Sequence, residues 1–113
     1  MRTTRQSIAA AISTVDGITG YTERPTAPQA GDAWPLVREL TRPPEAPSVW
    51  QTTWAIAVCI GADVGTATDQ FDELIPRVVD ALVAEVYVDA ARPLTIQTEA
   101  GPLYGVEITA RSE

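Results

Sequence analysis

From Trp50 to Ile60 the chain alternates side-chain size along its length, and just beyond it changes period. The even positions are Trp50, Thr52, Trp54, Ile56, Val58 and Ile60, and the odd ones are Gln51, Thr53, Ala55, Ala57 and Cys59. Successive side chains of a strand point to opposite faces, so one face of this strand is large and apolar, and the other small or polar. Gly61, Asp63 and Gly65 end the strand. Phe71, Leu74, Ile75, Val78, Leu82 and Val86 then recur at three- and four-residue spacing, one stripe of a helix, with Asp69, Asp72, Glu73, Arg77, Asp80 and Glu85 mostly on the opposite side. The stretch from Val49 to Val86 is therefore a strand and a helix that offer each other apolar faces, and the flanking segments read as packing for it.

In chain order, Thr3 and Gln6 have capping-box spacing, and Ile8, Ala11, Ile12 and Val15 share a face, which predicts a helix from about Thr4 to about Val15. Gly17 is placed for the left-handed turn that closes it. Ile18 to Glu23 is predicted as a short strand, and Arg24 to Asp32, with Pro25, Pro28 and Gly31, as a loop. Ala33 to Thr41 reads as a strand in which Trp34, Leu36, Arg38 and Leu40 share one face, with Pro35 marking an edge position or a bulge. Arg42-Pro43-Pro44-Glu45-Ala46-Pro47 is a stiff, extended connection, because proline supplies no N–H to a ladder. The second helix is expected to be capped by Thr66 or Thr68 and to kink or restart at Pro76. Leu94–Thr98 and Leu103–Thr109 alternate as strands about a turn at Glu99–Pro102, a closing hairpin. Clustered strands with two helices predict one α+β domain over residues 1–113, a mostly antiparallel sheet of four or five strands with both helices on one face.

Reaction chemistry is sparse. The sequence has one cysteine and no histidine, which rules out an intramolecular disulfide and zinc sites built from Cys and His. Cys59, on the small-residue face and without a histidine to activate it, reads as a small buried thiol. Asp69, Asp72, Glu73 and Asp80 form an acidic helix face that complements the helix dipole and keeps the surface solvated; the same carboxylates are the candidate ligands if the chain binds Mg²⁺ or Ca²⁺. The glycines lack phosphate-loop and dinucleotide spacing, and there is no lysine. These features point away from an enzyme and call for no cofactor. A net charge of −7 argues against a chain that seeks phosphate backbones. With 45% hydrophobic residues interleaved with polar ones, no run is long enough for a membrane span, and the N-terminus has no signal-peptide pattern. Trp54 reads as core. Trp34 and Trp50 flank the proline-rich connection, where tryptophan serves equally as core edge or interface anchor. Arg38, Arg42, Glu39 and Glu45 nearby suit an oriented protein contact.

The layout resembles the tail terminator proteins of long-tailed phages, within the broader group of head–tail joining and tail-completion proteins. The likeness rests on the opening Thr3-Thr4-Arg5-Gln6-Ser7-Ile8 helix, Gly20-Tyr21, the proline-rich loop, the strand Trp50–Val58, the helix ending Arg77-Val78-Val79-Asp80-Ala81-Leu82, and the closing hairpin. Pro76 is a departure from the family layout. The resemblance implies a non-enzymatic protein of the virion tail–neck junction, a homo-oligomeric ring (a hexamer in the family) that caps the tail tube. It would contact itself, the tube protein and a head–tail connector or stopper, and double-stranded DNA would pass through without specific binding. Trp34, Arg38, Glu39, Arg42, Glu45 and Trp50 are the expected contact residues. The rival expectations are a connector or stopper of the neck and, from another class, a small carboxylate-based metal-binding domain or enzyme. All eight basic residues are arginine and asparagine is absent, as in a G+C-rich coding sequence, which fits a phage of a high-G+C bacterial host.

Overall fold

The computed structural model describes residues 3–42, 44, 45 and 50–112; Met1, Arg2, Pro43, residues 46–49 and Glu113 lie outside the described residues, and with them much of the predicted proline-rich connection. The element order is α1 (Arg5–Ile12), β1 (Thr19–Gly20), β2 (Asp32–Thr41), β3 (Gln51–Gly61), α2 (Val64–Leu82), β4 (Tyr87–Thr98) and β5 (Gly101–Ser112). The strands form one sheet in the order β1-β2-β3-β5-β4. The short β1 pairs parallel with β2, and every other pairing is antiparallel, which makes this an α+β fold with a mostly antiparallel sheet.

The alternation in β3 sorts two clusters. Trp54, Ile56, Val58 and Ile60 join Val106, Ile108 and Ala110 of β5 with Ile8 and Ile12 of α1 and Ala67, Ile75, Val78 and Leu82 of α2. Each such aliphatic side chain removed from water contributes on the order of 1.5–3 kcal/mol before chain entropy is counted. The odd positions Ala57 and Cys59 pack instead with Trp34 and Ile96, bordered by Leu94 and Leu103. Loop residue Arg24 lies over this second cluster: its guanidinium sits 5.8 Å from the Trp34 ring centre and donates to the Gln97 carbonyl at 2.6 Å.

Several expectations are corrected. The capping box of α1 is one residue later: Thr4 Oγ1 accepts from the Ser7 N–H at 3.1 Å, and Ser7 Oγ accepts from the Thr4 N–H at 2.8 Å. The short serine hydroxyl closes the box in place of a longer amide, and Thr3 is left to donate to the Glu85 carbonyl at 2.7 Å, tying the N-terminus to the end of α2. Helix α1 also stops at Ile12; Val15 is buried in the turn that follows, which Gly17 closes at φ 84°. The cap of α2 is Asp63, whose carboxylate accepts from the Thr66 N–H and hydroxyl, so Thr66 donates where it was expected to accept. Those bonds to the charged form, the backbone one foremost, hold the Asp63 carboxyl below its ordinary pKa. Helix α2 runs through Pro76 without restarting. Asp72, whose carbonyl would have taken the missing N–H, and Pro76 both lie on the exposed side, where the freed oxygen is open to solvent. The predicted strand over 18–23 shortens to Thr19–Gly20, whereas β4 begins at Tyr87, seven residues before the predicted Leu94.

Strand β2 departs most from simple alternation. A bulge between Val37 and Glu39 shifts its register against β3, so Leu36 pairs with Ala55 whereas Leu40 pairs with Thr52. Paired residues share a face, so Trp34 and Leu36 lie with the odd positions of β3 and Leu40 with the even ones. The predicted common face of Leu36, Arg38 and Leu40 is split by that extra residue. Pro35 sits just past the last β1–β2 pair, Gly20–Ala33, where β2 is an outer strand and proline costs no ladder bond to a second neighbour.

Candidate interaction surface

The outer half of β2, beyond Ala33, has no strand on its far side among the described residues. Three large apolar side chains, Leu36, Val37 and Leu40, are exposed along it. Such an edge invites pairing with another chain, and the bulge, Pro35 and the charges of Arg38 and Glu39 limit how it can be approached. Arg38 crosses to β5 and meets Glu107 at 2.6 Å, while Glu39 faces solvent. At the end of the strand the Arg42 guanidinium stacks 4.9 Å from the ring centre of Trp50, which is 52% exposed. Glu45 is exposed in the same connection. A cation stacked on an exposed indole is a compact, oriented contact element, since stacking preorganises the guanidinium and leaves its N–H groups in one plane.

Five of the six predicted contact residues therefore lie on or beside one end of β2, and the sixth does not. Trp34 is 3% exposed in the second cluster. Its partner on β3 is Ala57, seven residues along from Trp50, or roughly 23 Å at strand rise. The two tryptophans that flank the connection in sequence thus serve different places. Trp54 is core, with its indole N–H donated to Ser112 Oγ at 2.8 Å.

A second surface was missed. On β4 and β5, Arg111 grips Asp89 through Nε and Nη2 at 2.9–3.1 Å and lies 4.8 Å over the ring of the exposed Tyr87. Asp89 is the extra residue of a bulge between Val88 and Ala90, which turns it toward Arg111. The carboxylate raises the Arg111 pKa still further, first by hydrogen bonding and then by its charge. A strand carrying Asp89, Ala90, Ala91, Arg92 and Pro93 gives little β signal in sequence, so nothing placed Tyr87 beside Arg111.

Two clefts run between α2 and the β4–β5 hairpin. One, of about 480 Å³, is lined by Ala67, Phe71 and Asp72 on the helix and by Pro93, Thr95 and Tyr104 on the hairpin, among others. The other, of about 470 Å³, continues along the helix past Ile75, Val79 and Asp80 to Ala91, and the two meet at Phe71 and Asp72. Of the acidic helix residues, Glu73 pairs with Arg77 at 3.6 Å, one helical turn on. Among the described residues no three His, Cys, Asp or Glu side chains are grouped as metal ligands. Cys59 is fully buried, and burial, reinforced by the charge of Asp32, pushes its thiol up to about 11. No helix of the described chain is long and apolar enough to cross a membrane. No family model matches the chain, and no curated protein matches it either.

Proposed function

We propose that this chain is a phage tail terminator, a ring of identical subunits at the virion tail–neck junction that covers the end of the tail tube, stops its growth and presents a surface to the head connector. The observation that carries the reading is the outer end of β2, where Leu36, Val37 and Leu40 lie exposed beside the charged Arg38 and Glu39 and the Arg42–Trp50 stack. Concentrated apolar and guanidinium surface at one end of a small domain fits a protein that works by contact with others of its kind and with a tube. The mechanism is steric: the seated ring occupies the surface on which the next tube subunit would add. The acidic balance of −7 suits a conduit through which DNA passes without being held. Strand outweighs helix in the fold, which favours a connector or stopper of the same neck as the second reading.

The test is to supply Arg38→Glu/Arg42→Glu protein to particles lacking the native chain. Tails of uncontrolled length and loss of ring assembly are expected. Virions of normal tail length would remove the β2 end from the mechanism.

A further inference from the structure

The acidic charge of this chain is unevenly placed. Six of its fifteen acidic residues and one of its eight arginines lie between Asp63 and Glu85, on and around α2. Asp72 and Asp80 edge the clefts between α2 and the hairpin, whose walls are otherwise largely apolar at Phe71, Ile75, Val79 and Tyr104. This acidic, apolar-floored groove begins beside Ile60 and Tyr104, and Tyr104 pairs with Gly61 at the far end of β3. Trp50 immediately precedes the near end of the same strand. The strand between them spans roughly 33 Å, in a molecule whose longest extent is 45 Å. A solvent-facing indole with a guanidinium on its face thus stands at one end, and at the other begins a groove of complementary charge and sufficient volume for an indole, which runs back along α2 to Ala91, level with the middle of β3.

The geometry points to a head-to-tail contact between copies of this chain, in which Trp50 of one copy seats in the α2–hairpin groove of the next, with Arg42 beside Asp72 at its rim. The inference rests on the ring reading and deepens it by naming the contact. Because the two surfaces differ, the contact is heterologous, and such a contact generates a ring where its rotation closes. Tryptophan and arginine are the side chains on which such interfaces most depend, and the apolar floor around Phe71 excludes water from the ion pairs at the rim.

The experiment is sedimentation velocity and native mass spectrometry of the purified full chain over a concentration series. The native chain is expected to form oligomers; Trp50→Ala, Arg42→Asp and Asp72→Arg are each expected to weaken self-association by about tenfold or more. The double variant Arg42→Asp/Asp72→Arg, which restores opposite charges across the contact, is expected to recover most of the native association. All three residues are exposed, so unchanged thermal midpoints serve as the check that each variant folds. Undiminished assembly of Trp50→Ala, or a double variant no better than its parents, overturns the contact and leaves the ring reading standing on other surfaces. A native chain that stays monomeric at roughly 1 mM also overturns the contact, because even a millimolar Kd would leave a large fraction of the chain associated at that concentration; the ring reading is then decided by particle morphology.

Discussion

Replacing Gly105 by alanine tests how closely the two central strands approach. Gly105 is buried on β5 opposite Cys59. A Cβ built there would lie 2.5 Å from the Val58 carbonyl oxygen and 3.0 Å from Ile96 Cδ1. The isoleucine can turn its terminal methyl aside, but the carbonyl belongs to the β3 backbone and cannot. Ordinary contact requires β3 and β5 to separate locally by about 0.9 Å in an interior packed at crystal density. Overpacking of this kind costs about 1–3 kcal/mol, against which alanine recovers about 0.4–1 kcal/mol by restricting the unfolded chain. The net destabilisation is therefore centred on about 1.3 kcal/mol and at most about 2.6 kcal/mol, and at about 4 °C per kcal/mol for a chain of this size the thermal midpoint falls by about 5 °C. Gly61, on the neighbouring strand, is the internal control: nothing lies within 4 Å of its built Cβ, so Gly61→Ala leaves stability unchanged or raises it by about 0.4–1 kcal/mol. Guanidinium unfolding followed by tryptophan fluorescence reads both. A Gly105→Ala protein as stable as the native one, or two variants that move in the same direction, would refute the packing argument.

Pro76→Ala is expected to stabilise the protein by about 1–3 kcal/mol, since α2 is already continuous at that position and gains a hydrogen bond, partly offset by a freer unfolded chain; the same unfolding assay checks it. Thr4→Ala removes the cap of α1 and is expected to cost about 0.5–2 kcal/mol, with Gln6→Ala near neutral, an order that distinguishes the observed capping box from the one expected at Thr3 and Gln6. For Cys59 the native thiol is raised from 9.0 to about 11, so the unfolded chain ionises first as pH rises. Stability is then lost by up to about 1.4 kcal/mol per pH unit across that window, and Cys59→Ala is expected to flatten this part of a stability-against-pH curve measured from pH 8 to 11.

The strand-helix unit was legible because its two periods are unambiguous. Trp54, Ile56 and Val58 went to the core with Ile75, Val78 and Leu82 of α2 as their spacing required. The closing hairpin was legible through its alternation and turn, with Gly101 taking φ 114° beyond the two-residue bend. Bulges were not legible. One extra residue at Arg38 reversed the face of Leu40, and another at Asp89 hid the first half of β4, because a bulge is set by pairing across strands and leaves no mark in one strand's own pattern. Pro76 misled for a different reason: it lies on the exposed side of α2, where the Asp72 carbonyl left without its donor is open to solvent and the helix continues unbroken. Of the candidate contact residues, exposure separates Trp50 from Trp34, although both flank the same connection. That difference depends on Arg24 and the second cluster covering Trp34, a long-range event that composition does not carry.

The most direct test of the proposed function is electron microscopy of particles made when the gene for this chain is disrupted in its parent genome, scoring tail length and head attachment. The terminator reading predicts overlong, headless tails. Tails of normal length lying apart from full heads would move the protein to the connector side of the joint, and intact virions would contradict a role in the neck altogether.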